Sequence, residues 1–140
     1  MLKKQVAGLA EMGFEAVSAT ELEFFILEQS FEELSKSGYR DLTPISAYNE
    51  DYHILQTTKE EGVMRTLRNG LYASGIPIEG SKGEAETGQE ELNIRYGSAM
   101  DAAENHTVAK PAAKENGWHE GHAVQFYPKE PPGRRGRGAA

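Results

Sequence analysis

Apolar residues recur every three or four positions from Leu2 to Ala10. Leu2, Val6, Leu9 and Ala10 share one face, which predicts a short helix over 2–12 stopped by Gly13. The stretch FEAVSATELEFFILE is rich in β-formers and reads as a strand from about 14 to 28. Alternation puts Glu21, Glu23, Phe25 and Leu27 on one face of it and Leu22, Phe24 and Ile26 on the other. Ser30 with Glu33 has capping-box spacing and opens a short helix ending at Gly38. Residues 39–47, with Pro44, read as a loop. Val63, Met64, Leu67 and Leu71 line one face of a longer helix over roughly 58–73, ended by Gly75. GIPIEG is a short strand. Residues 90–96 form another, with Leu92, Ile94 and Tyr96 on one face and Glu91, Asn93 and Arg95 on the other. Ser98 caps a helix from 99 to about 116, which Pro111 should kink or shorten. AVQFY is a last strand. From Pro128 the chain turns Pro/Gly/Arg-rich, and residues 130–140 are expected to be a disordered tail. This mixture, with a hairpin-like segment near residue 88, favours an α+β fold over regular βα alternation.

The 140 residues are enough for one domain with its own core. A net charge of −7 argues against nucleic acid as a partner, because phosphate contacts need clustered Lys and Arg. The basic GRRGRG tail is the one segment that suggests an RNA contact, and it has no interleaved aromatics. The absence of cysteine excludes disulfides, thiolate metal sites and Cys nucleophiles, and suits a cytoplasmic protein. No apolar run approaches the ~18 residues of a membrane span, so no membrane association is expected, and the N-terminus lacks a signal-peptide core. Gly-x-Ser-x-Gly, P-loop and Rossmann fingerprints are missing. His119 and His122 flank Glu120 between Gly117 and Gly121 and are read as surface histidines, while His53 and His106 stand alone.

The carboxylates are the candidate chemistry. Five acidic residues fall within IEGSKGEAETGQEELNIRY, residues 78–96. Glu21 and Glu23 sit side by side on a strand that is apolar around them, where repulsion and desolvation both raise carboxylate pKa values. A hard divalent cation with oxygen ligands removes both problems; a solvated strand end is the alternative. Glu84 and Glu91, seven apart, would face opposite ways in an unbroken strand. They converge only if the chain breaks between them, and Thr87-Gly88 can supply the break. The alternative is an exposed acidic hairpin.

Together, ATELEFFIL, GYRDLTPISAYNEDYHILQT and RNGLYASGIPIEGSKGEAETGQEELNIRYGSAMDAAENH resemble the glutamine synthetase family, most closely its γ-glutamyl ligase branch. The similarity runs from about residue 2 to 129, so residues 1–129 are expected to form part of the family's catalytic domain, with a curved antiparallel sheet and flanking helices. By this resemblance Glu23, Glu84 and Glu91 match the first metal site, Glu21 a ligand of the second, and Glu79 a glutamate that contacts the nucleotide. The implied cofactors are ATP and Mg2+ (or Mn2+). The implied reaction phosphorylates the γ-carboxylate of glutamate with ATP, and ammonia or another amine then displaces the phosphate. The resemblance also implies ring homo-oligomers.

Relatives in this family are longer, and the stretch carrying their second-metal histidine, glutamate-binding loop and phosphate-binding arginines has no counterpart after AVQFYPK. The expectation is therefore an incomplete catalytic domain, with little or no ligase activity on its own. The alternative is a non-catalytic remnant that binds metal or associates with other subunits.

Overall fold

The structure, a computed structural model, describes residues 1–126. Helix α1 (Leu2–Glu11) leads into strand β1 (Val17–Leu27), followed by α2 (Phe31–Ser37), α3 (Ile54–Lys59), α4 (Glu61–Ala73), the strand pair β2 (Ile78–Gly83) and β3 (Gln89–Ser98), α5 (Ala99–His119) and β4 (Ala123–Gln125). The four strands form one antiparallel sheet in the order β2-β3-β1-β4. The α+β expectation holds. The expected tail, residues 130–140, lies outside the described residues.

Period-two alternation decides the sheet's two faces. Leu22, Phe24 and Ile26 of β1, Leu92 and Ile94 of β3 and Val124 of β4 pack against Val63, Met64, Leu67 and Leu71 of α4 and Ala109 and Ala113 of α5 in a single buried cluster. The opposite face, carrying Glu21 and Glu23, is left open to solvent there. The predicted apolar face of α4 is therefore the buried one. The Ser30 capping box forms as its spacing predicts, and Gly38 ends α2 in the left-handed region.

Several boundaries differ from the sequence expectation. The helix expected over roughly 58–73 is α4, starting at Glu61, and a separate short helix α3 precedes it, with Glu60 at the junction. β1 starts at Val17 rather than 14, and Phe14 is exposed. The face of α1 formed by Leu2, Val6, Leu9 and Ala10 buries no residue. Tyr96, expected on one face with Leu92 and Ile94, is 63% exposed, because the β1–β3 register shifts between the pairs Thr20–Ile94 and Ser18–Gly97 and breaks the alternation; Arg95 lies near its ring. Pro111 does not shorten α5, which runs on to His119. Its missing N–H is offset by burial of Ala109, Ala113 and Gly117 on the same helix. No described helix is long and apolar enough to cross a membrane.

Close backbone approach fixes one glycine that positions the site. A Cβ on Gly83 would lie 2.6 Å from Glu50 Cβ and 2.7 Å from its carbonyl oxygen, whereas a Cβ on Gly80 in the same strand meets nothing within 4 Å. Gly83→Ala is expected to lower stability by about 1–3 kcal/mol through overpacking, and Gly80→Ala by clearly less. Urea unfolding of both variants checks this; equal losses would show that the close contact is not what constrains the strand.

Candidate metal centre

Strand register brings the acidic residues together. β1 and β3 pair with Glu23 opposite Glu91 and Glu21 opposite Asn93, and β2 and β3 pair with Lys82 opposite Glu91. Glu84 lies just past β2, where its N–H donates to the Gln89 carbonyl at 2.8 Å and closes the hairpin. Gly88 adopts φ 75°, so the break needed between Glu84 and Glu91 is a tight turn at Thr87-Gly88. As a result Glu23, Glu84 and Glu91 each offer an oxygen within 4.8 Å of the others. Glu21 lines the same cleft, together with Asp51, Tyr52, Lys82 and Asn93, but is not in that close group. Glu79 lies apart from it, in a separate cleft on the α4 side of β2 with Arg68, Asn69, Tyr72 and Ser81.

Among the described residues, one ammonium partly offsets the negative charge of the first cleft. Lys82 donates to Glu84 and, at 3.3 Å, to Asp51, and lies 4.6 Å from the centre of the Tyr52 ring. Partial burial pushes the Lys82 pKa down, but its bonds to Glu84 and Asp51 outweigh that and the net shift is upward, so it stays charged. Glu84 is held below its usual value by hydrogen bonding with Glu91 and Lys82, while burial and the facing Glu84 push Glu91 up to about 6. Gln89 Nε2 donates to Glu23 at 2.7 Å and orients that carboxylate. One ammonium among three converging carboxylates leaves net negative charge on hard oxygen donors. That donor set fits a divalent cation of the Mg2+ or Mn2+ type, which Glu23, Glu84 and Glu91 would hold.

A second acidic group lies behind the hairpin, and the sequence reading missed it. Glu50, Glu60 and Glu90 are 0%, 2% and 1% exposed, and each offers an oxygen within 4.8 Å of the others. Glu90 follows from alternation: it shares a face with Leu92 and Ile94 and so points inward, where Glu91 points out. Nothing local in the sequence announces Glu50 and Glu60, which arrive from a loop and from the start of α4. Strand register places Lys82 opposite Glu91 and within reach of Glu84, and no signal in the sequence marks Asp51 or Tyr52. The histidines form no metal-type cluster among the described residues. His53 caps α3 by accepting from the Gln56 N–H, His119 is exposed, and His122 is half-buried with Nδ1 3.0 Å from the Leu27 carbonyl.

Burial, followed by the neighbouring Glu60, raises Glu50 to about 8 and Glu90 to about 10. A carboxyl whose pKa rises on folding binds more protons in the folded state, so its contribution falls as pH climbs above the unfolded value. In chain unfolded and refolded without divalent cations, stability is expected to drop by more than about 2 kcal/mol between roughly pH 5 and 8. Glu50→Gln/Glu90→Gln should flatten that slope, as read by urea unfolding across the range. A slope unchanged in the double variant would remove these two groups as its cause.

Comparison with known proteins sets this geometry in a family. Residues 1–139 match the family described as glutamine synthetase, catalytic domain. Over 129 residues the chain is 37% identical to the γ-glutamylethanolamide synthetase of Streptomyces coelicolor, covering 92% of this chain and 28% of that protein. It is 27% identical to a glutamate–isopropylamine ligase of a Pseudomonas species over 92% of this chain and 28% of that one. To the glutamine synthetase of Thermus thermophilus it is 31% identical, over 99% of this chain and 30% of that one. Among solved structures, one described as a GmaS/ADP complex superposes with a TM-score of 0.75 at 23% identity, covering 91% of this chain and 28% of its own, which establishes likeness of fold. The chain thus spans under a third of the length of these relatives. It belongs to the glutamine synthetase family and corresponds to part of its catalytic domain.

Proposed function

We propose that this chain carries the divalent-metal and nucleotide-facing part of an ATP-dependent ligase that joins the γ-carboxylate of glutamate to ammonia or a primary amine. The observation that carries the proposal is the convergence of Glu23, Glu84 and Glu91, from two strands and a hairpin turn, in a member of this family. Two of the relatives are by name a γ-glutamylethanolamide synthetase and a glutamate–isopropylamine ligase, which supports an amine acceptor. The solved relative with ADP supports a nucleotide partner.

Each side chain has a separable task in this reading. Glu23, Glu84 and Glu91 bind the cation, and Glu21, in the same cleft, is left for a second one. When bound, such a cation neutralises charge on a transferring phosphoryl group. Glu79, in the separate cleft beside α4, is assigned to the nucleotide. There Arg68 is held in place by Glu61, with N–O distances of 2.8 and 2.9 Å, and donates to Ser81 at 2.8 Å. Lys82 competes with a cation for Glu84 and so keeps the carboxylates together when none is bound.

A ligand that binds the folded state alone raises its stability in proportion to saturation. Millimolar Mn2+ or Mg2+ is expected to raise the melting temperature of the chain by several degrees, with a further rise on adding ATP. Glu23→Gln and Glu91→Gln should each abolish most of the metal response, and Glu79→Gln only the ATP increment. Melting indifferent to metal in the wild-type chain, or a metal response untouched by both first substitutions, would defeat the proposal.

A further inference from the structure

We propose that Glu50, Glu60 and Glu90 form a second, buried cation site on the opposite face of the hairpin, selective for a hard divalent cation. Three segments meet there: the loop before α3, the N-cap of α4, and β3. Burial is nearly complete, and each carboxylate keeps one oxygen with no hydrogen-bond partner: Glu50 Oε2, Glu60 Oε2 and Glu90 Oε1. A buried, unpartnered carboxylate oxygen is expensive, and three converging ones more so. The remaining oxygens of two of them are tied down. Glu50 Oε1 accepts from the Gly88 N–H at 2.8 Å, and Glu60 Oε1 accepts from Gln56 Nε2 at 3.0 Å.

That arrangement is what a ligand set needs: one oxygen of a carboxylate anchored by a neighbour, the other free to coordinate. The three side chains take part in none of the ion pairs formed among the described residues, unlike the outer cluster with Lys82. An all-carboxylate set without His or Cys suits Mg2+, Mn2+ or Ca2+ rather than zinc. A cation here would cross-link α4 and the Glu50 loop to the strand that carries Glu91. The site would therefore be structural, loaded on folding and slow to exchange, because its ligands have almost no solvent access.

Mn2+ alone is the probe. The full chain is refolded with Mn2+, passed through chelator on a desalting column, and its retained metal counted, with folding checked by circular dichroism. One chelator-resistant Mn2+ per chain is expected in the wild type and in Glu23→Gln/Glu84→Gln, and none in Glu50→Gln/Glu90→Gln. If the outer-site variant fails to fold, wild type against Glu50→Gln/Glu90→Gln decides the matter through the loss of one retained ion; Glu60→Gln repeats that comparison should the double variant unfold. No retained Mn2+ in folded wild-type chain would overturn the proposal and leave shared protons holding the trio. Retention unaffected by Glu50→Gln/Glu90→Gln would overturn it equally. Because the outer carboxylates are untouched in that variant, failure of this site is distinguishable from failure of the proposed ligase reading.

Discussion

Repulsion between carboxylates is the constraint around which the β2–β3 hairpin is arranged. Glu90 and Glu91 are consecutive in β3, so the pleat sends them to opposite faces. Glu91 joins Glu23 and Glu84 on the open face, and Glu90 joins Glu50 and Glu60 on the packed one. The two groups are relieved differently. Outside, Lys82 contributes an ammonium, and the Glu84–Glu91 contact splits the two pKa values apart. Inside, no Lys or Arg among the described residues pairs with the trio, and burial pushes Glu50 and Glu90 toward their neutral forms.

The remainder of the fold holds this hairpin still. Helices α4 and α5 cover one face of the sheet, and the apolar cluster between them fixes the register of β1 against β3. That register, and nothing local, sets Glu23 opposite Glu91. The turn is pinned from behind, since the Gly88 N–H donates to both Ser46 and Glu50, and Asn49 Nδ2 donates to the Ala85 carbonyl at 2.7 Å. A loop more than thirty residues upstream thus sets where Glu84 sits.

Alternation and helical periodicity made much of this legible. They identified the buried faces of β1 and α4, the capping box at Ser30, and the need for a break between Glu84 and Glu91. Family resemblance, rather than spacing, singled out Glu79 and grouped Glu21 and Glu23 with the hairpin. What stayed hidden is non-local. Pro111 looked disruptive because the packing of Ala109 and Ala113 beneath it cannot be read from the helix itself. Tyr96 leaves the face of Leu92 and Ile94 because the β1–β3 register shifts between the pairs Thr20–Ile94 and Ser18–Gly97, a bulge that alternation alone does not announce. The inner trio stays hidden because no local signal marks Glu50 and Glu60, although the parity that turns Glu91 to the open face turns Glu90 to the packed one.

The claim on which this account stands is that the outer carboxylates converge on a cation that Lys82 otherwise offsets. Anomalous diffraction at the manganese edge, from crystals of the chain grown with Mn2+, tests it most directly. The account predicts a peak bonded to oxygens of Glu23, Glu84 and Glu91, with Lys82 drawn away from Glu84. A map with no peak there and Lys82 still bridging Glu84 and Asp51 would contradict it.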